Sequence, residues 1–176
     1  MDFEKLRSDS QNKTLGGLID EIAAGLDALA RIEDTLYRRS ESGTDSIGSH
    51  FRHNLDFVNS FLNGIEGGQI DYNNRERDVI VEADRHYAAG QFIFAIRRLI
   101  ALTPEMLERA VIVRSEIDAN AWHISSVSRE IEFLLSHTVH HYALIAGKLR
   151  ASEVEISAGF GVAPSTLQYW KQKKAA

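Results

Sequence analysis

Cysteine is absent from this 176-residue chain. Its absence removes disulfides, zinc–thiolate sites, iron–sulfur clusters and cysteine nucleophiles from consideration. Proline occurs only at Pro104 and Pro164. Because proline breaks helix interiors, that scarcity favours long helices. Long apolar runs are missing too. Phe92-Ile93-Phe94-Ala95-Ile96 is typical of the longest, far below the ~20 residues of a membrane-spanning helix. Basic charge is not in excess either: 20 Lys and Arg face 25 Asp and Glu, for a net charge of -5. Arg97-Arg98 and Lys171, Lys173 and Lys174 are too sparse to outline a nucleic-acid groove. Neither nucleic acid nor a membrane is expected as a partner. The opening Met1-Asp2-Phe3-Glu4 lacks a basic segment followed by an apolar one, so a cytoplasmic protein is expected.

The length fits one domain, residues 1–176, with enough chain to bury a core unaided. Apolar residues recur at helical spacing in four stretches. From about Thr14 to Arg39 they are Leu18, Ile22, Leu26, Leu29 and Ile32. A polar turn over 40–46 follows, in which Thr44, Asp45 or Ser46 can cap the next helix. The second helix is predicted from Ile47 to about Asn63, with His50, His53, Phe57 and Phe61 inward and Gly64, Gly67 and Gly68 as its stop. Residues 69–81 read as a polar connection. A third helix, from Glu82 or Asp84 to Leu102, carries Ala88, Phe92, Ala95, Ile96 and Leu99 on its inner side. Pro104 opens a short turn. The β-branched run 110–117 and Trp122-His123-Ile124-Ser125 have the pattern of a small hairpin. The fourth helix starts near Ser126 or Ser128 and ends near Leu149, with Glu130, Leu134, His137, His141 and Leu144 or Ile145 inward. A short terminal helix is expected from Ala163. These stretches predict an all-α four-helix bundle, with a long crossover between the third and fourth helices that holds a small extended element.

Seven histidines are the chain's main store of metal-ligand chemistry. His137 and His141 are four apart and share one helical face. Thr138 stands where the zincin pattern requires glutamate, so protease chemistry of that kind is unsupported. His50 and His53 fall on the predicted buried side of the second helix. Burying several imidazoles is costly unless each nitrogen is satisfied. An ion shared by His53, His137 and His141 would satisfy three at once. A histidine core held by hydrogen bonds alone is the plainer alternative. Three neutral ligands would leave a coordination position open, which is the form of a catalytic site. Glu130 and His50 are the candidate proton carriers, and Asp56 a candidate outer-sphere group. Residues 71–77 could cover the mouth of the site, although an exposed connection is the simpler expectation. Phe57, Phe61, Phe92, Phe94 and Phe133 read as packing.

At these residues the chain resembles the DinB-like superfamily of metal-binding four-helix bundles. Two passages carry the resemblance: Ser46-Ile47-Gly48-Ser49-His50-Phe51-Arg52-His53-Asn54-Leu55-Asp56, and 132–145 around His137-Thr138-Val139-His140-His141. Gly159-Phe160-Gly161-Val162-Ala163-Pro164 adds a likeness to one bacterial branch. The resemblance implies a divalent ion, zinc or nickel first and iron after them, held by His53, His137 and His141. His50 has no assured place in that triad: it could be a fourth ligand, a hydrogen-bonding neighbour or polar packing. The resemblance also implies homodimers and, in some relatives, transfer of small thiols to electrophiles. Two functions follow as expectations. One is a metal-dependent transferase or hydrolase that activates a small thiol or water. The other is a noncatalytic metal-binding or partner-binding bundle. With no cysteine in the chain, a thiol at the metal would arrive with the substrate.

Overall fold

The computed structural model describes residues 13–40 and 45–175. The 40–46 turn lies largely outside the described residues, as does Thr44. Four long helices form a closed ring. They are α1 (Lys13–Arg31), α3 (Ile47–Gly67), α5 (Arg85–Ile100) and α7 (Val127–Ala151), and α1 and α3 each pack against both α5 and α7. Short helices fill the connections: α2 (Asp34–Arg38), α4 (Val79–Ala83) and α6 (Pro104–Leu107), with α8 (Pro164–Ala175) at the end. The bundle core includes Leu18, Ile22, Phe51, Phe61, Phe92, Ile96, Ile131 and Ile145, each at most 1% exposed. Such side chains each contribute about 1.5–3 kcal/mol when fully buried.

The first predicted helix is divided in two. Ile32 and Tyr37 are both buried, yet five residues apart they would face different sides of one continuous helix. The chain breaks at Ile32 and Glu33 and restarts as α2. Tyr37 can then lie beside Phe51 and donate its hydroxyl to the Val81 carbonyl at 2.6 Å. The other starts follow their capping residues. The Ser46 side chain accepts from Ser49 N for α3, Asp84 accepts from His86 N and Tyr87 N for α5, and Ser126 accepts from Arg129 N for α7. Within the inner line of α7, Ile145 is buried and Leu144 is exposed. Phe94 does not pack in the core as expected; it is 55% exposed on the outer face of α5. Gly25 lets α1 approach α7 closely, because a Cβ there would collide with the buried Tyr142 hydroxyl.

The crossover between α5 and α7 holds the expected hairpin, β2 (Ala110–Arg114) antiparallel to β3 (Trp122–Ser126). A third, two-residue strand, β1 (Gln69–Ile70), adds in parallel to β2. Gly68 makes this possible. It ends α3 in the left-handed region, φ 73°, and its carbonyl accepts Ile112 N at 2.9 Å. The small sheet thus joins the end of α3 to the start of α7, the two helices that carry His53, His137 and His141. No described helix is long and apolar enough to cross a membrane.

Candidate metal centre

The structure brings His53 of α3 together with His137 and His141 of α7. One ligand nitrogen from each lies within 4.8 Å of the others. Ring centroids are 5.1 Å apart for His53 and His137, 4.6 Å for His53 and His141, and 4.6 Å for His137 and His141. All three are partly buried. The spacing is close enough for small side-chain rotations to place the nitrogens on one ion at ~2.0–2.1 Å.

Electrostatics keep the trio neutral. Burial, reinforced by Arg75 and Arg52, lowers His53 to about 4. Burial and the neighbouring His53 lower His137 to about 4. Burial and His137 lower His141 to about 3. At neutral pH each ring therefore keeps a lone pair for a cation. The arrangement has an unmet need as well: His137 Nδ1 is buried without a hydrogen-bond partner. Leaving such a group unsatisfied costs about 1–3 kcal/mol. Three imidazole nitrogens, one of the rings holding an orphaned buried atom, fit a borderline divalent ion such as zinc, nickel or iron.

The remaining candidates fall outside the trio. His50 is buried, and its Nδ1 lies 3.2 Å from His141 Nδ1. It adjoins the trio at His141 and lies outside the group of three converging nitrogens. Glu130 is buried at the start of α7, where Oε2 accepts from the Tyr72 hydroxyl at 2.9 Å and Oε1 from the Ser125 hydroxyl at 2.6 Å. Its carboxylate ties the loop after β1 and strand β3 to α7. Asp56 accepts from Arg52 at 2.9 Å, and Arg52 also reaches Glu82 at 2.8 Å, which links α3 to α4. His86, His123 and His140 are exposed.

Of the two readings of residues 71–77, the simpler one, an exposed connection, does not hold for Tyr72, and the sequence did not single out Tyr72 or Arg75 within the loop. Tyr72 is only 4% exposed and stacks on Phe57 at 5.2 Å. Phe57 in turn stacks on His137 at 4.1 Å. The Arg75 guanidinium lies 4.4 Å from the Phe57 ring centroid. The loop is therefore packed against the site and is not simply solvated. A three-residue step from Tyr72 to Arg75 in a polar stretch carries no periodic signal, so nothing in the spacing marks it.

The architecture has a solved counterpart. The crystal structure of the protein YjoA from Bacillus subtilis, described as DinB-like, superposes with a TM-score of 0.64, covering 85% of this chain and 99% of that one at 18% identity. The fold is DinB-like. The DinB-like architecture accounts for the four-helix ring, and this chain sets its three clustered histidines on the two facing helices α3 and α7. A 109-residue stretch is 32% identical to FK506-binding protein 5 from Rhizopus delemar. That match covers 59% of this chain and 28% of that protein, so the chain spans less than a third of that relative's length. No family model matches the sequence.

Proposed function

We propose that this DinB-like protein binds one divalent ion through His53, His137 and His141 and acts on a small molecule there, as a transferase or hydrolase. The observation that carries the reading is the convergence of three neutral imidazoles from two helices, with His137 Nδ1 buried and unpartnered. An ion with three neutral ligands keeps its full charge and an open position, and so lowers the pKa of a bound thiol or water to give a nucleophile. The protein's own part is to hold three ligands in place and to shield them. Phe57 and Phe133 pack against His137 on one side, and His50 contacts His141 on the other. Glu130 has its two carboxylate oxygens engaged by Tyr72 and Ser125, which supports a framework role for it. Zinc or nickel, with iron next, is the choice the DinB-like resemblance implies, and imidazole donors suit all three. A homodimer is part of the same proposal.

Metal analysis of the purified protein tests the first step. One equivalent of zinc, nickel or iron is expected in the native protein, and under a tenth of an equivalent in His137→Ala and His141→Ala. Equal and negligible metal in all three overturns the proposal.

A further inference from the structure

We infer that the molecule bound at the three-histidine centre carries an anionic group and that Arg75 receives it. This inference rests on the metal-site reading above and deepens it by naming a substrate class.

Arg75 is presented by a fixed loop. Asp71 Oδ1 accepts Asn73 N at 2.9 Å and Asn74 N at 3.3 Å. Asp71 Oδ2 pairs with Arg114 at 2.7 Å, and Asn73 Nδ2 donates to the Ser115 carbonyl at 2.8 Å. From this loop the Arg75 side chain folds back over Phe57, the ring that stacks on His137. Its Nη1 donates to the Tyr72 carbonyl. Its Nε is buried with no hydrogen-bond partner. Stacking on Phe57 fixes the plane of the guanidinium.

Arg75 has no ion-pair partner among the described residues. Asp56 is paired with Arg52, and Asp71 with Arg114. Asp56 and the exposed Glu116 act on it only from a distance. A divalent ion on three neutral ligands would add its positive charge to that of Arg75. A partly desolvated cation with an unsatisfied buried donor and no ion-pair partner is costly to keep. An anion from outside removes that cost. A carboxylate matches the guanidinium fork and gains a charge-assisted hydrogen bond. The expected ligand therefore places a donor atom on the metal and a carboxylate or similar anion toward Arg75.

The test uses cobalt(II)-loaded protein and two thiols of similar size, 3-mercaptopropionate and neutral 2-mercaptoethanol, each titrated against the cobalt absorption spectrum. The wild type is expected to bind the carboxylate thiol at least about tenfold more tightly than the neutral one, with the preference falling as salt is raised. Arg75→Gln should reduce that ratio to near one while leaving 2-mercaptoethanol affinity within about threefold. Arg75→Lys keeps the charge but not the fork, and should retain part of the preference. A wild-type ratio near one overturns the role of Arg75, whether or not the variants fold. So does an unchanged ratio in folded Arg75→Gln. A wild type that takes up no cobalt, or whose cobalt spectrum neither thiol perturbs, overturns the open metal site and this inference with it. The two failures are thus distinguishable.

Discussion

His50 Nδ1 and His141 Nδ1 face each other at 3.2 Å across the α3–α7 interface. Between two neutral imidazoles one nitrogen must donate and the other accept. If His141 donates, its Nε2 is the nitrogen left for an ion, and His50 holds the ring in that tautomer and orientation. Metal-bound histidines commonly donate their second nitrogen in this way, and removing the acceptor typically costs 10–100-fold in affinity. His50→Ala is expected to weaken metal binding by about that factor. Asn places an amide oxygen close to the position of Nδ1, so His50→Asn should recover most of the loss. Competition titration with a metallochromic chelator reads both. A wild-type affinity in His50→Ala would show that the contact does not support the ligand, and failure of Asn to rescue would favour direct ligation.

Acid should destabilise the metal-free protein through the same histidines. Their folded pKa values, about 4 for His53 and His137 and about 3 for His141, lie below the ordinary 6.5. The unfolded chain therefore binds more protons below pH 6.5. Stability is fully present above that pH and is lost progressively as pH falls toward 4. Asp56 works in the opposite direction, because burial raises it to about 6 and its protonation favours the folded state. The comparison that isolates the histidines is the pH 7 to pH 5 change in urea midpoint for wild type against His137→Leu. The variant should lose less on acidification. Identical changes would mean that His137 carries no such linkage.

Glu130 separates framework from chemistry. Its two oxygens accept from Tyr72 and Ser125 and clamp the loop after β1 and strand β3 onto α7. Glu130→Gln replaces one acceptor oxygen with a donor, leaving one hydroxyl facing an NH2. A loss of about 1–2 kcal/mol in unfolding free energy is expected, measured by urea denaturation. Metal stoichiometry should stay at the wild-type value. A variant with native stability but altered metal content would place Glu130 at the ion instead.

Glu21 predicts an alkaline effect of the opposite sign. Burial raises its carboxyl to about 7 against an ordinary 4.5, and a hydrogen bond with the Gly161 backbone only partly offsets this. Its contribution is present below pH 4.5 and is lost as pH rises through 7. Glu21→Gln should melt higher than wild type at pH 8.5 and show a smaller difference at pH 5. Parallel melting curves at both pH values would contradict the shift.

The sequence by itself determined the bundle and the identity of the three facing histidines. Helical spacing places Leu18 and Ile22, Phe57 and Phe61, Phe92 and Ile96, and His137 and His141 each on one face, because a 3.6-residue period is a local property of the chain. Capping is equally local, and Ser46, Asp84 and Ser126 begin helices where their side chains suggest. Tertiary structure alone decided the rest. Burial of both Ile32 and Tyr37 required a break that a one-dimensional pattern does not show. β1 exists only because Gly68 turns the end of α3 toward Ile112, forty-four residues later in the chain. His50 became a neighbour of His141, Glu130 a clamp and Arg75 a lid on Phe57 through contacts between segments distant in sequence. Periodicity gives each side chain a face of its own helix; which partner that face meets is settled only when the helices and loops pack together.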